Sequence, residues 1–572
     1  MHSNASSLQN AGNRRFATRR LAAIACVTAA AASPALAQST WTANFNGGFW
    51  SAATNWDTDP VVPGIGGAIG GDAILGSVIT NDVNVQLDVN VDLNSLTLQD
   101  GESYTLIDSG GVLTLSGAAT IFVNNGTHAI AAPIAGTSGM VVDGGNTLIL
   151  SATNTYTGTT AIRGGSVLIV DSDDQLGAAS NGIDFGTVDP TAGTLRIDGT
   201  TFNTLSRDLT FTGNGLITVF DETNTVSLTG NIGGTGDLIK AGNGTLDLAT
   251  ANTNFDNAIS VNSGTLIVDS NNDLGSTVGT TRVVNPTGVV ALDGSGGDLT
   301  IAENFDRFIG RFNGEAHLRN DAGNNTLTGT IDVGGNEFAD GILENAADGT
   351  TLTITNQIFD EADESVDVIF QGTGNFDITG RITGDNVDVV VRLDDPTDTV
   401  TISTAANTLD TSNGTGSYWG GSAVVESGTL VVMSDGSNNG EIASDIIDVR
   451  AGATLDVSDF GGYSLQVVDD PDLIPFNGDE TGQTLRGAGT VIGNLQAFED
   501  AIVEPGDSVG TLNITGNFSA NQTQANPNGL YEFELGGATT PGSGVNDLID
   551  VSGTATLSAS GGGAFAVNIV PA

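Results

Sequence analysis

The chain has 572 residues and sets 67 acidic groups against 16 basic ones, a formal net charge of −51. Such a surface repels nucleic acid and anionic lipid, which excludes both as partners. The charge does not signal disorder, because 39% of the residues are apolar and recur in short alternating blocks that can build a core.

At the N-terminus, Arg14, Arg15, Arg19 and Arg20 precede an apolar stretch from Leu21 to Ala37 that closes in Ala35-Leu36-Ala37. This is the pattern of a secretory signal cleaved before Gln38. Thr18-Arg19-Arg20-Leu21 also fits a twin-arginine signal, and Cys26 a lipidated cysteine. A lipoprotein would end its apolar run at the cysteine, whereas Val27 to Ala32 continue it. Cys26 is the only cysteine, so the mature chain has no disulfide and no thiolate metal site. It keeps all 67 acidic groups and only 12 of the basic ones, with Lys240 its single lysine. The mature chain opens on Trp41, Phe45, Phe49, Trp50 and Trp56. These aromatics either stack on sugar rings or plug the open end of a repeat structure, and the cap is the favoured reading.

Beyond this cluster no long stretch shows helical spacing. A block of the form Gly-Thr-Leu-x-Val/Leu recurs instead, at Gly193, Gly244, Gly264, Gly428 and Gly510, with Asn146-Thr147-Leu148-Ile149-Leu150 as a variant. Each is a short strand between turn residues. Leu148 to Leu168 and Leu246 to Leu266 are 20 residues apart, Leu430 to Leu455 is 25, and Val491 to Leu512 is 21. Those are lengths for one coil of a solenoid. A longer match runs through Asn154-Thr155, Leu168-Ile169-Val170-Asp171-Ser172 and Leu176-Gly177, which return 98 residues later as Asn252-Thr253, Leu266-Ile267-Val268-Asp269-Ser270 and Leu274-Gly275. The expected fold is all-β, a right-handed parallel β-helix with an aromatic-rich N-terminal cap. The alternative is an array of antiparallel sandwiches, for which Asn125-Gly126, Asp198-Gly199 and Asp293-Gly294 would supply hairpin turns.

The stretch from Gly139 to Val170, residues 139–170, with Gly145-Asn146-Thr147-Leu148-Ile149-Leu150-Ser151, Asn154-Thr155-Tyr156-Thr157-Gly158-Thr159-Thr160 and Gly164-Gly165-Ser166-Val167-Leu168-Ile169-Val170, resembles the passenger-associated transport repeat, the autotransporter-associated β-strand repeat. Residues 236–268 look like a second copy, with Phe255 one place late for Tyr156, and 414–432 like a degraded third. Leu485-Arg486-Gly487-Ala488-Gly489-Thr490-Val491 and Glu504 to Leu512 look like the family's end-of-passenger segment. On these features the chain divides into a signal at 1–37, a cap with the first rungs at 38–138, a β-helix with the repeats at 139–480, and a closing segment at 481–572. The resemblance implies a passenger secreted through the inner membrane and exported by outer-membrane translocation machinery to the cell surface or medium. Such passengers often serve as adhesins or structural elements that meet surface polysaccharide or a host or neighbouring cell surface. A translocator barrel needs many strands of about ten alternating residues, and no run of that kind follows Leu512. The expectation is a chain without its own translocator, or a fragment.

Candidate chemistry is sparse. Gly506-Asp507-Ser508-Val509-Gly510 matches the G-x-S-x-G nucleophile pattern, yet no histidine follows Ser508, and only His128 and His317 precede it in the mature chain. Neither triad order is served, and the motif reads as a turn entering a strand. The acidic turns are the calcium candidates: Asp171 and Asp173 in one, Asp269, Asn271 and Asp273 in the other, with oxygens at alternate positions. The glycine stands one place late and the closing Glu is missing, so Asx-turns explain them with fewer assumptions. Acidic pairs such as Asp394-Asp395 and Asp469-Asp470 single out no glycosidase centre among 67 acids. No catalytic or cofactor-binding residue is assigned. The expected function is an exported structural or adhesive passenger, not an enzyme; the alternatives are a secreted carbohydrate-active β-helix enzyme and a calcium-stabilised surface-layer component.

Overall fold

A computed structural model describes residues 38–65, 71–186, 191–308, 314–334, 340–360, 366–384, 387–403, 418–419, 421–434, 442, 444–465, 483–497, 501–506, 509–522, 530–535, 546–559 and 566–571. The proposed signal at 1–37 and Ser508 lie outside them, as does the Asp469-Asp470 pair. Residues 38–572 form one compact unit.

That unit is a parallel β-solenoid. Its described secondary structure consists of strands and three short 3₁₀ turns, at Ala53–Asn55, Asp173–Leu176 and Gly294–Gly296. Strands adjacent in the chain do not fold back on each other. Leu113–Asn125 pairs with Val91–Gln99 of the rung before and Met140–Asp143 of the rung after, all parallel. Thr127–Ala131, just past Asn125-Gly126, likewise pairs with Tyr104–Asp108 and Thr147–Leu150. The Asn-Gly step is therefore a corner between faces, with Gly126 at φ +80°. The sandwich alternative is excluded by this pairing.

Strand period two places one side-chain set inside. Val167–Val170 and Thr429–Val432 both alternate half-buried and buried residues. In register, Leu148 lies on Leu168, Leu246 on Leu266 and Leu430 on Leu455, as the spacing predicts. The fourth pairing differs: Val491 faces Ile514, not Leu512. Leu512 and Ile514 both point inward, and a shift by two residues keeps the same face, so alternation cannot choose between them. Rungs also exceed the expected 20 to 25 residues in places; Ile447 pairs with Leu485, 38 residues on, and Leu530 with Ala566, 36 on.

One column of the core shows what stacking demands. Leu148, Leu168, Leu195, Ile217, Lys240, Val261 and Val283 follow one another in register up the solenoid. Burying each aliphatic member contributes about 1.5–3 kcal/mol. The lysine belongs there because its ammonium donates to the carbonyls of Ala241, Gly242 and Ser263 at 3.1, 2.9 and 2.8 Å, one acceptor per proton. Burial pushes it down to about 7. Those carbonyls line the corner where Ile259–Val268 turns from one face to the next. The turn is made at Gly264, φ +67°, where a Cβ would collide with the backbone oxygens of Gly242 and Gly244.

At the N-terminal end Trp41, Trp50 and Trp56 are buried and pack edge-to-face. Their indole N–H groups donate to the carbonyls of Ala43, Pro63 and Trp50. The cap therefore consists of the tryptophans. Phe45 and Phe49 stand outside it, 54% and 49% exposed. Among the described residues no helix is long and apolar enough to cross a membrane.

Candidate functional site

The two repeat copies share one device. Asn154 accepts a hydrogen bond from Ile134 N on one rung and donates to Gln175 O on another, at 2.8 and 2.5 Å. Asn252, its counterpart 98 residues on, accepts from Ile232 N and donates to Asp273 O, at 3.0 and 2.9 Å. Each buried amide thus staples three turns of chain through both ends of its side chain. Asn252→Ala leaves a buried N–H and a buried carbonyl unpaired and should cost about 1–3 kcal/mol. Amide exchange at Ile232 should accelerate; unchanged protection there would refute the staple.

The acidic turns follow these staples. In the first copy Gln175 Oε1 accepts from Asp171 N, and its Nε2 donates to Asp171 Oδ1. In the second copy Asp273 takes that place: its carboxylate accepts from Asp269 N, Ser270 N and Ser270 Oγ. Burial pushes Asp273 up to about 6 in spite of these bonds. Asp173 is held by Arg207, Nε to Oδ1 at 2.9 Å and Nη2 to Oδ2 at 3.2 Å, so a guanidinium stands where a cation would. Asn271 Oδ1 accepts from Thr300 N at 2.7 Å. Four of the five calcium candidates are therefore engaged within the chain. The structure keeps the two turns on separate rungs, and among the described residues no group of three or more His, Cys, Asp or Glu side chains could hold an ion.

Both histidines among the described residues are built into the backbone. His128 is buried; its Nδ1 accepts from Tyr104 N at 2.9 Å, and Nε2 lies 2.7 Å from Asn125 O. That pattern needs the neutral ring protonated on Nε2, and burial lowers its affinity for a second proton. His317 is buried and stacked on Phe308, with Nδ1 accepting from Ile342 N. Asp395 of the Asp394-Asp395 pair caps its own turn, accepting from Thr397 N and Oγ1. Arg207, Lys240 and Glu303 are buried ionisable groups that stand outside the motifs singled out from the sequence. Glu303 is 4% exposed, both of its carboxyl oxygens lack a hydrogen-bond partner, and burial pushes it up to about 8.

Comparison with known proteins agrees with this geometry. The family model for the passenger-associated-transport-repeat matches residues 140–169 and 238–268, the two stretches that carry Asn154 and Asn252. A curated relative, the adhesin BmaC autotransporter of Brucella suis biovar 1 (strain 1330), is 29% identical over 232 residues. That match covers 37% of this chain and 6% of the adhesin. No solved structure matches the chain. The chain is a parallel β-solenoid that carries the passenger-associated transport repeat of autotransporters and is similar to part of an autotransporter adhesin.

Proposed function

We propose that the chain is an exported, non-catalytic surface passenger whose β-solenoid carries adhesion or forms a structural layer at the cell surface or in the medium. The observation that carries the reading is the coincidence of the two repeat matches with stapled rungs of a parallel solenoid. The similarity to an adhesin supports it, as do an acidic surface and histidines engaged by backbone amides. Export proceeds through the N-terminal signal and outer-membrane machinery, and the partner is a polysaccharide or a neighbouring or host cell surface.

The test is deletion of the gene, with surface proteolysis of intact cells and an adhesion assay. We expect protease-accessible protein on wild-type cells or in the medium, and reduced attachment or a disrupted surface layer in the deletion strain. Turnover of an acidic polysaccharide by the purified chain, abolished by single Asp substitutions, would replace this reading with a carbohydrate-active enzyme. A melting temperature that rises with added calcium would mark a calcium-stabilised surface layer instead.

A further inference from the structure

Phe220 is 54% exposed in the middle of the solenoid, at the corner between strands Gly215–Val219 and Thr225–Leu228. The ring is also held. Phe220 N donates to Ile197 O at 3.0 Å. The Arg196 guanidinium lies 3.9 Å from the ring centroid, itself fixed by Asp198 through Nε–Oδ1 and Nη2–Oδ2 bonds at 2.5 and 3.0 Å. The result is a rigid, half-open aromatic plate.

Around it lies a shallow concavity of about 430 Å³, lined by Phe220, Asp221, Glu222, Thr223, Gly242 and Asn243. Its walls come from two successive rungs, since Gly215 to Thr218 pair with Leu238 to Ala241. Asp221 Oδ1 accepts from Thr223 N and Oγ1, which keeps its carboxyl below the usual range and charged. Glu222 and Asn243 are exposed. Asn243 offers an amide donor and acceptor, and the two carboxylates offer acceptors.

The chemistry of the walls selects the occupant. One face of the ring already carries a guanidinium, so a second cation is not the guest it awaits. Asp221 and Glu222 repel an anionic ligand. What remains is an uncharged molecule with an apolar face for the ring and a rim of hydroxyls for Asn243 and the carboxylates. We propose that this corner is a subsite for a neutral hexose unit of a glycan, a deepening of the adhesive reading on which it rests. The larger groove along Val141, Ala161, Asp184 and Thr210, where Arg163 stands 3.8 Å from Asp184, has no aromatic plate and is not assigned.

The experiment is calorimetric titration of the full chain with neutral β-linked hexose oligosaccharides and, in parallel, hexuronic acid oligosaccharides of the same length. We expect binding of the neutral series only. Phe220→Ala should weaken it by about tenfold or more with an unchanged melting temperature, and Asn243→Ala should weaken it less. Absence of binding to the neutral series at millimolar concentration, equal binding of the uronic series, or unaltered affinity in Phe220→Ala would each overturn the subsite. Cell attachment is scored separately: if the deletion strain attaches less and the Phe220→Ala strain attaches as wild type, the subsite fails and the adhesive function stands. If the chain binds the neutral glycan and the deletion strain attaches as wild type, the subsite stands and the adhesive function fails.

Discussion

Arg207→Met should loosen the first repeat more than any substitution on its outer surface. The guanidinium is 1% exposed and donates to Asp173 Oδ1, Oδ2 and O, and to the carbonyls of Ala178, Asn181 and Gly177. Removing it strands a partly buried carboxylate and several carbonyls together, and breaking a buried pair from one side costs about 3–5 kcal/mol. Because a solenoid is stable by neighbouring interfaces, the damage should be local. Limited proteolysis should cut near Asp173–Leu176, and amides from Ala178 to Ile183 should exchange faster while those beyond Gly384 keep their protection. A variant that resists protease as wild type does would show that Arg207 is dispensable. Asp173→Asn should be milder, since Arg207 then keeps its carbonyl partners.

Glu303 should make the solenoid less stable as the medium turns alkaline. Its carboxyl is pushed up to about 8 in the fold, against an ordinary value of 4.5. Below 4.5 both folded and unfolded chains hold the proton, and the contribution is constant. Between 4.5 and 8 the unfolded chain releases it first, so stability declines by up to about 1.4 kcal/mol per pH unit for one proton. Asp273 and Asp367, each raised to about 6, add to the fall in its lower half. His128 works the other way: its lowered affinity makes acid destabilising below its ordinary value of 6.5. Thermal melts of wild type and Glu303→Gln at pH 5 and pH 8 separate these effects. The variant should lose less of its melting temperature between the two, and parallel shifts in both proteins would sink the assignment.

These buried ionisable groups show how the sequence conceals what it encodes. Leu205-x-Arg207-x-Leu209, Leu238-x-Lys240 and Ile301-x-Glu303-x-Phe305 all continue an alternation whose apolar members are buried. The pattern therefore puts each ion inside, and the charged identity argues it outside. Charge dominates a reading by eye because an unpaired buried ion is costly, yet Arg207 finds Asp173 across 34 residues, a pairing that no local window contains. The repeat period was legible because backbone pairing forces each Leu onto its predecessor. The Val491 register was not, since both inward candidates satisfy the same face. Among the aromatics the tryptophans were legible as a cap, whereas Phe45, at a bend, and Phe49, in the strand Gly48–Phe49, differ from them in exposure. The recurrence of Asn154 and Asn252 was visible, but their role needed the rungs before and after them.

The asparagine staples also decide how the rod meets a pulling force. Backbone bonds of stacked parallel strands point along the axis, so tension between the two ends loads the interfaces in series and the weakest one opens first, like a zip. Asn154 links Ile134 to Gln175, and Asn252 links Ile232 to Asp273, each spanning two interfaces at once. At those two heights neighbouring interfaces must part together. Under traction the repeats act as locks, as does the rung of Asn345, which accepts from Asn320 Nδ2 and donates to Asn375 O, and rupture begins in coils that lack such a link.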